Sequence, residues 1–493
     1  MAFTSASRIV EPTTVYGELY TAEARPVVQL QYHGGIHKEK HLFDFKGSAT
    51  ATAEMNGNLK LSTGTANHSV AWFRSKRMAN YEPGEGMEIR FSAAFDENAT
   101  DSSFQYVGYG DQENGIFMGY RGSTPGVLHR HSGVSSLDVL TITHGATISG
   151  TVIVTIDGSP HAVSVLGGDS VGEVVAKIAN VYSGFVTHSK VDMIEYYSIE
   201  AGPTNGIFLF NGGATGVTGS FAHLQTGMPV TENWTPRTAW NIDKADGSFK
   251  LPVLDFTKGN VFSITFQWLG YGIITFKIEN PLSGRFETVH LITYASTHRV
   301  PYMGQSSHPI SFITGNGTSG QAITILTGSA SIFIQGKRNA DLVRWSHASE
   351  YAVSNDTFNL IFAMRSKPVV NGKKNKSRVY VDGYTMGSSF TGGITQFKII
   401  LNPIIVGSSA SATLVWETID NVEVTRPLDE SFTVSGGNCI RSQHVGSEGG
   451  LEIDLERNHH IILAANDVFA IVARTTGFGN GPAFAGITWT SDY

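Results

Sequence analysis

Asp111 and Glu113 stand two residues apart in a stretch of glycines and aromatics, and His129 and His131 follow with the same spacing. Carboxylates so placed can line a sugar- or cation-binding loop, and two carboxylates flanking a glycosidic bond can hydrolyse it. Alternate residues of a strand share a face, so the two imidazoles would stand side by side, close enough to share a metal ion. Against this, a carboxylate beside a glycine turn commonly caps the turn. No H-E-x-x-H string or cysteine ligand set accompanies the histidines. His33, His37 and His41 would align on a helix, which Gly34 and Gly35 argue against. His459 and His460 point to opposite faces of a strand. Asp111, Glu113, His129 and His131 are therefore a candidate ligand-binding loop, and no catalytic, cofactor or metal site is expected.

Other motifs fail for stated reasons. Gly315, Gly317 and Gly320 spell G-x-G-x-x-G, but a dinucleotide site needs a helix next, and the following QAITIL reads as a strand. A glycine-rich hairpin loop is expected instead. The basic run Asn371 to Lys376 lacks the spacing of a phosphate loop and reads as a solvated turn or a docking patch. No G-x-S-x-G elbow or Cys/His pairing emerges for nucleophilic catalysis. The single cysteine, Cys439, excludes an intrachain disulfide framework and is expected to be buried.

The elements that must position these residues follow from composition. Charged residues are 16% of the 493, against about 25% in typical soluble proteins. Their place is taken by 55 glycines and by hydroxyl and β-branched residues, which suits many short strands joined by tight turns. With 28 Phe, 17 Tyr and 7 Trp to bury, the chain has ample material for cores. The net charge of −7, with scattered basic residues, gives no nucleic-acid footprint. No run approaches the roughly 18 apolar residues of a membrane span, and MAFTSASRIVEP lacks a signal-peptide h-region.

Strand texture runs to about residue 140, with MEIRFSAAF (Met87 to Phe95) and the aromatic–glycine stretch from Phe104 to Arg130. Between 141 and 226 the texture changes. TVIVTIDG turns at Asp157 and Gly158, and Ser170 with Glu173 forms a capping box ahead of Val171, Val174, Val175 and Ile178 at helical spacing. Strands resume with VFSITFQWLGYGIITFKI, where Phe262, Ile264, Phe266 and Trp268 point together into a core. Residues 339–356 read as a linker or short helix. The expected fold class is all-β: a lectin-like or jelly-roll β-sandwich (1–140 and 227–338) interrupted by a small α+β insertion (141–226). The linker then leads to a second β-sandwich (357–493).

Three stretches resemble β-rich virion structural proteins of tailed phages and related large DNA viruses. They are SKRMANYEPGEGMEIRFSAAF with GYGDQENGIFMGYRGSTPGVLHR (Ser75 to Arg130), LDFTKGNVFSITFQWLGYGIITFKIENPLSGRFETVH (Leu254 to His290), and the C-terminal NGKKNKSRVYVDGYTM with GITWTSDY. The segment TVIVTIDGSPHAVSVLGGDSVGEVVAKIAN is similar to a small module of phage tail and sheath proteins. The sequence departs from the family pattern at His129 and His131.

The resemblance implies a non-enzymatic component of the particle surface, such as a fibre, tail, collar or head-decoration protein. It would be made in the host cytoplasm and located in the virion. Expected partners are further copies of the chain, as a homo-oligomer and by analogy a trimer, other virion proteins, and host-surface glycan; nucleic acid and membrane are not expected. Low charge and open sheet edges also favour self-association, with the low-charge run Phe397 to Val415 as its main contact. The alternatives are a virion-associated polysaccharide depolymerase and a glycan-binding, lectin-like adhesin.

Overall fold

Aromatic and β-branched residues at alternate positions, punctuated by glycine turns, pair into antiparallel sheets throughout. The computed structural model describes residues 24–37, 40–79, 81, 84–97, 100–181, 185–335, 343–354, 357–391, 393–425, 431–447, 449–455, 461–465, 467–477 and 481–491. His459 and His460 lie outside them. The chain divides into two units, Met1–Gly133 with Val230–Ala340, and Val134–Pro229 with Asp341–Tyr493.

The first unit is a sandwich of two sheets. One has seven strands in the order Thr231–Pro236, Thr124–His131, Gly115–Arg121, Phe104–Gly110, Ile310–Gly315, Val70–Ser75 and His41–Lys46. The other has six, in the order Ala24–Gln31, Ser329–Gln335, Gly86–Ala93, Asn260–Phe266, Ile274–Glu279 and Phe286–Ile292. Phe73, Val107, Met118 and Phe312 from the first meet Ile89, Phe91, Ile264 and Phe276 from the second in one core. Phe262, Ile264 and Phe266 are buried there as the alternation predicts, with Trp268 packed against them. Thr231 pairs with His131, so the chain leaves and re-enters this sheet on neighbouring strands, and the interruption occupies a hairpin. The Gly315–Gly320 loop does not close a hairpin: Gly315 ends a strand of the seven-stranded sheet, whereas Thr324–Thr327 pairs with Leu59–Ser62 in a separate three-stranded sheet.

In the second unit, Asn359–Ser366, Val468–Gly477 and Gly393–Leu401 are neighbours in an eight-stranded sheet. It packs on a five-stranded sheet built around Val379–Ser388 and Gly481–Ser491, with Phe362, Phe397, Phe469, Val381 and Trp489 in the core between them. The opposite face of the eight-stranded sheet is buried as well. Leu360, Ile400, Ile405, Ala470 and Val472 form a second apolar layer there, with Val191 of the inserted segment packed against it.

The inserted segment contributes the helix Val171–Ala179, capped as its sequence requires: Ser170 Oγ accepts from the Glu173 N–H, and Glu173 accepts from the Ser170 N–H at 2.9 Å. Its Gly172 passes the strand Ile404–Gly407 so closely that a Cβ would lie 2.2 Å from the Ile405 carbonyl oxygen. A buried ionic junction adds to this contact. Lys190 pairs with Glu195 and donates to the Ser366 carbonyl at 2.9 Å, while Arg365 pairs with Asp192 and Glu423. Lys374, in the basic run 371–376, stacks its ammonium on Tyr197, and its N–H donates to Gln225 Oε1 at 2.6 Å.

Three expectations are corrected. The span read as a linker contains the strand Arg344–Val353, paired from Arg344↔Thr490 to Val353↔Gly481. It is an edge strand with a mostly polar outer row, which masks its period. Cys439 is exposed, because it sits on the edge strand Asn438–Val445. The run Phe397 to Val415 is low in charge because Phe397, Ile399, Ile405 and Ala412 are consumed by cores within the chain.

Candidate functional site

The core-facing residues of the seven-stranded sheet fix what its outer face carries. With Phe73, Val107, Met118 and Phe312 inward, the register places Trp72, Ile313, Tyr106, Phe117, Leu128 and Trp234 outward, with Phe104 in the same layer. Glycines between them leave bare backbone against which the rings pack closely. A Cβ on Gly315 would come within 2.3 Å of the Phe104 ring, and one on Gly126 within 2.6 Å of Trp234. Phe104 stacks on Tyr106, with centroids 5.4 Å apart and planes 17° apart, and Tyr106 lies 5.9 Å from Trp234.

Guanidiniums interleave with the rings. Arg121 lies 5.4 Å from the Trp234 centroid and Arg130 lies 5.6 Å from that of Phe117, both within cation–π range. Arg121 Nε donates to the Tyr106 hydroxyl at 3.1 Å. Glu232 ties the two together: Oε2 accepts from Arg121, and Oε1 accepts from Arg130 Nε at 2.9 Å. Arg74 pairs with Asp44 further along the face. Burial pushes the Tyr106 hydroxyl above its usual range, against the pull of Arg121, so it stays protonated. Trp72, Phe117 and Arg130 are buried. Phe104 and Trp234 are half-buried, and the Arg121 side chain is 36% exposed, so this end of the face is the part a ligand can reach.

Flat apolar rings edged by an accessible guanidinium and a carboxylate suit a sugar, which presents one C–H face and a rim of hydroxyls. Among the described residues, Asp44 and Glu232 are the carboxylates on this face, on its two opposite edge strands, and each is already accepting from guanidinium donors.

The four residues singled out by sequence lie elsewhere. Asp111 caps the turn between Phe104–Gly110 and Gly115–Arg121: its Oδ1 accepts from the N–H groups of Glu113 and Asn114 at 2.9 and 3.0 Å. Glu113 is buried in the same turn, and its carbonyl accepts from Gly133 N–H at 3.2 Å. His129 and His131 do share a face, with ring centroids 4.9 Å apart. His129 Nε2 donates to the Tyr302 carbonyl at 2.7 Å, while His131 contacts Ser132 Oγ at 2.8 Å and Asn233 Nδ2 at 3.2 Å. Burial lowers His129 to about 4, with the neighbouring His131 and His298 acting in the same direction, and burial also lowers His131. Among the described residues, no three His, Cys, Asp or Glu side chains are arranged to hold a metal ion.

The outer face was missed because its members come from six strands, spread between Val70 and Gly315. Only the parity of FQYVGYG and GIFMGYR, with aromatics and glycines on one side, hinted at it.

No protein-family model and no curated protein matches the sequence. Among solved structures the chain is similar to an endo-1,3-beta-glucanase from Streptomyces sioyaensis, at 8% identity and a TM-score of 0.30, covering 64% of this chain and 100% of that one. It is similar to a legume lectin-like domain from Entamoeba histolytica, at 9% identity and a TM-score of 0.25, covering 62% and 95%. It is also similar to a seed lectin of Lotus tetragonolobus, at 9% identity and a TM-score of 0.23, covering 63% and 100%. The all-β, sandwich-built fold class is the one expected from sequence.

Proposed function

We propose that the chain is a glycan-binding structural protein of a virus particle, acting by assembly and adhesion rather than by catalysis. The observation that carries the binding role is the outer face of the seven-stranded sheet, where half-buried Phe104 and Trp234 flank the buried Tyr106 beside Arg121, Phe104 stacked on Tyr106 and Trp234 tilted 46° to it. The virion setting rests on the resemblance of three sequence stretches to virion proteins. Self-association, with the trimer as its form, rests on low charge and on open edges such as Asn438–Val445.

A glycan microarray probed with the purified chain tests the binding role. Specific binding that the double substitution Phe104→Ala with Trp234→Ala lowers at least tenfold is expected, with the circular dichroism spectrum retained. Binding that survives the double substitution in a folded protein would remove the face from the account. Glu232 is the carboxylate beside the exposed rings, and Asp44 stands on the opposite edge strand, too far for paired-carboxylate hydrolysis, so polysaccharide depolymerisation is the reading to test adhesion against. New reducing ends released from a bound polymer, and lost in Glu232→Gln, would establish it in place of simple adhesion.

A further inference from the structure

We propose that the ligand of this face is an anionic saccharide, whose carboxylate or sulfate is taken by Arg121 while a sugar ring lies on Phe104 and Trp234. This rests on the glycan-binding reading above and narrows it.

Among the described residues of these strands, four cationic side chains, Lys46, Arg74, Arg121 and Arg130, share the outer face with two carboxylates, Asp44 and Glu232. The chain as a whole carries a net charge of −7, so this face runs against the sign of the molecule. Arg74 pairs with Asp44 towards the other edge of the sheet. Arg121 and Arg130 share Glu232, whose Oε1 takes two donors from Arg130 and whose Oε2 takes Arg121. One guanidinium charge in that trio is therefore unmatched, and it belongs to the more exposed partner, since Arg130 is 9% exposed in its side chain and Arg121 36%.

Arg121 spends Nε on Tyr106 and Nη2 on Glu232, and these bonds fix the guanidinium plane. An oxyanion arriving at its remaining donors would meet a pre-oriented group rather than a mobile one, and it would gain a charge-assisted hydrogen bond where a neutral hydroxyl gains an ordinary one. The Trp234 ring, whose centroid lies 5.4 Å from the Arg121 guanidinium, supplies the apolar floor for the sugar that carries the anion, together with Phe104. A neutral saccharide would use the floor and leave the charge unanswered.

Titration calorimetry on the full chain with three hexasaccharides tests this: one of uronic acids, one sulfated, and one neutral glucan. Binding of one or both anionic ligands at least tenfold tighter than the neutral one is expected. Arg121→Gln should erase that preference, Arg121→Lys should restore part of it, and raising salt from about 50 to 200 mM should weaken only the anionic ligands. Which anionic ligand binds tells carboxylate from sulfate. Equal binding of neutral and anionic ligands, unmoved by Arg121→Gln in a protein with wild-type melting, would overturn the anionic class and leave the glycan face standing. Binding of none of the three, nor of any array glycan, would overturn the glycan reading itself.

Discussion

Gly172 shows how much a single absent side chain can decide. In a helix interior a glycine costs about 1 kcal/mol relative to alanine, and here it is what lets the helix Val171–Ala179 approach the carbonyl of Ile405. Gly172→Val is expected to push the helix off its strand and lower stability by about 1–3 kcal/mol. Urea denaturation measures it, and an unchanged midpoint would show that the contact is slack. The same logic holds on the outer face, where an added Cβ at Gly315 meets only the Phe104 ring, so Gly315→Ala should displace that ring and weaken glycan binding without unfolding the sandwich. Residue types announced chemistry only in part. Asp111 and Glu113 were legible as a turn or a site, and the hydrogen bonds to Asp111 Oδ1 show the turn. Arg121 and Glu232 meet across 111 positions of sequence, so nothing local pointed to them.

Among the elements, the helix was readable because a capping box and an apolar stripe are local signals, and both are present as expected. The strand Asn359–Ser366 was readable as a strand, and its central apolar run, Leu360 to Met364, carries a further message: five apolar residues without alternation mean burial on both faces. One face meets the five-stranded sheet and the other lies in the apolar layer against which Val191 packs. The strand Arg344–Val353 was missed because an edge strand tolerates charge and hydroxyls on its open side.

The junction of Lys190 and Glu195 gives an element-scale prediction. Both groups are buried, so removing one leaves the other as an unpaired charge. Glu195→Gln is expected to cost about 3–5 kcal/mol in urea denaturation, whereas Lys190→Met with Glu195→Leu should cost clearly less. A double substitution as damaging as the single one would mean that the pair contributes more than mutual neutralisation.

At the scale of the molecule, buried histidines make the first unit sensitive to acid. Burial lowers His41 and His129 from 6.5 to about 4, and it lowers His131 and His290 in the same direction. Above about pH 6.5 these groups are neutral whether folded or not and do not affect the balance. Below that, the unfolded chain takes up protons that the folded one refuses, so stability falls progressively until the folded groups protonate near pH 4. Scanning calorimetry at pH 7, 5.5 and 4.5 should show the first unit melting at steadily lower temperature, and His129→Gln should flatten the slope. A melting temperature constant across that range would contradict the burial of these imidazoles.

The whole architecture was legible as all-β because turns and alternation are local. The partner of each unit was not, since the inserted segment packs on the C-terminal sandwich through Gly172, Lys190 and Lys374, none of which advertises its neighbour. The central claim is that the first sandwich takes glycan on its outer face. A crystal structure of the chain soaked with the tightest-binding array glycan tests it most directly. The account predicts a sugar ring lying on Phe104 and Trp234 with Arg121 at its edge. A glycan bound instead at the His129–His131 rim, or in the groove of about 330 Å³ lined by Ile142, Val191, Leu414 and Phe432, would contradict it.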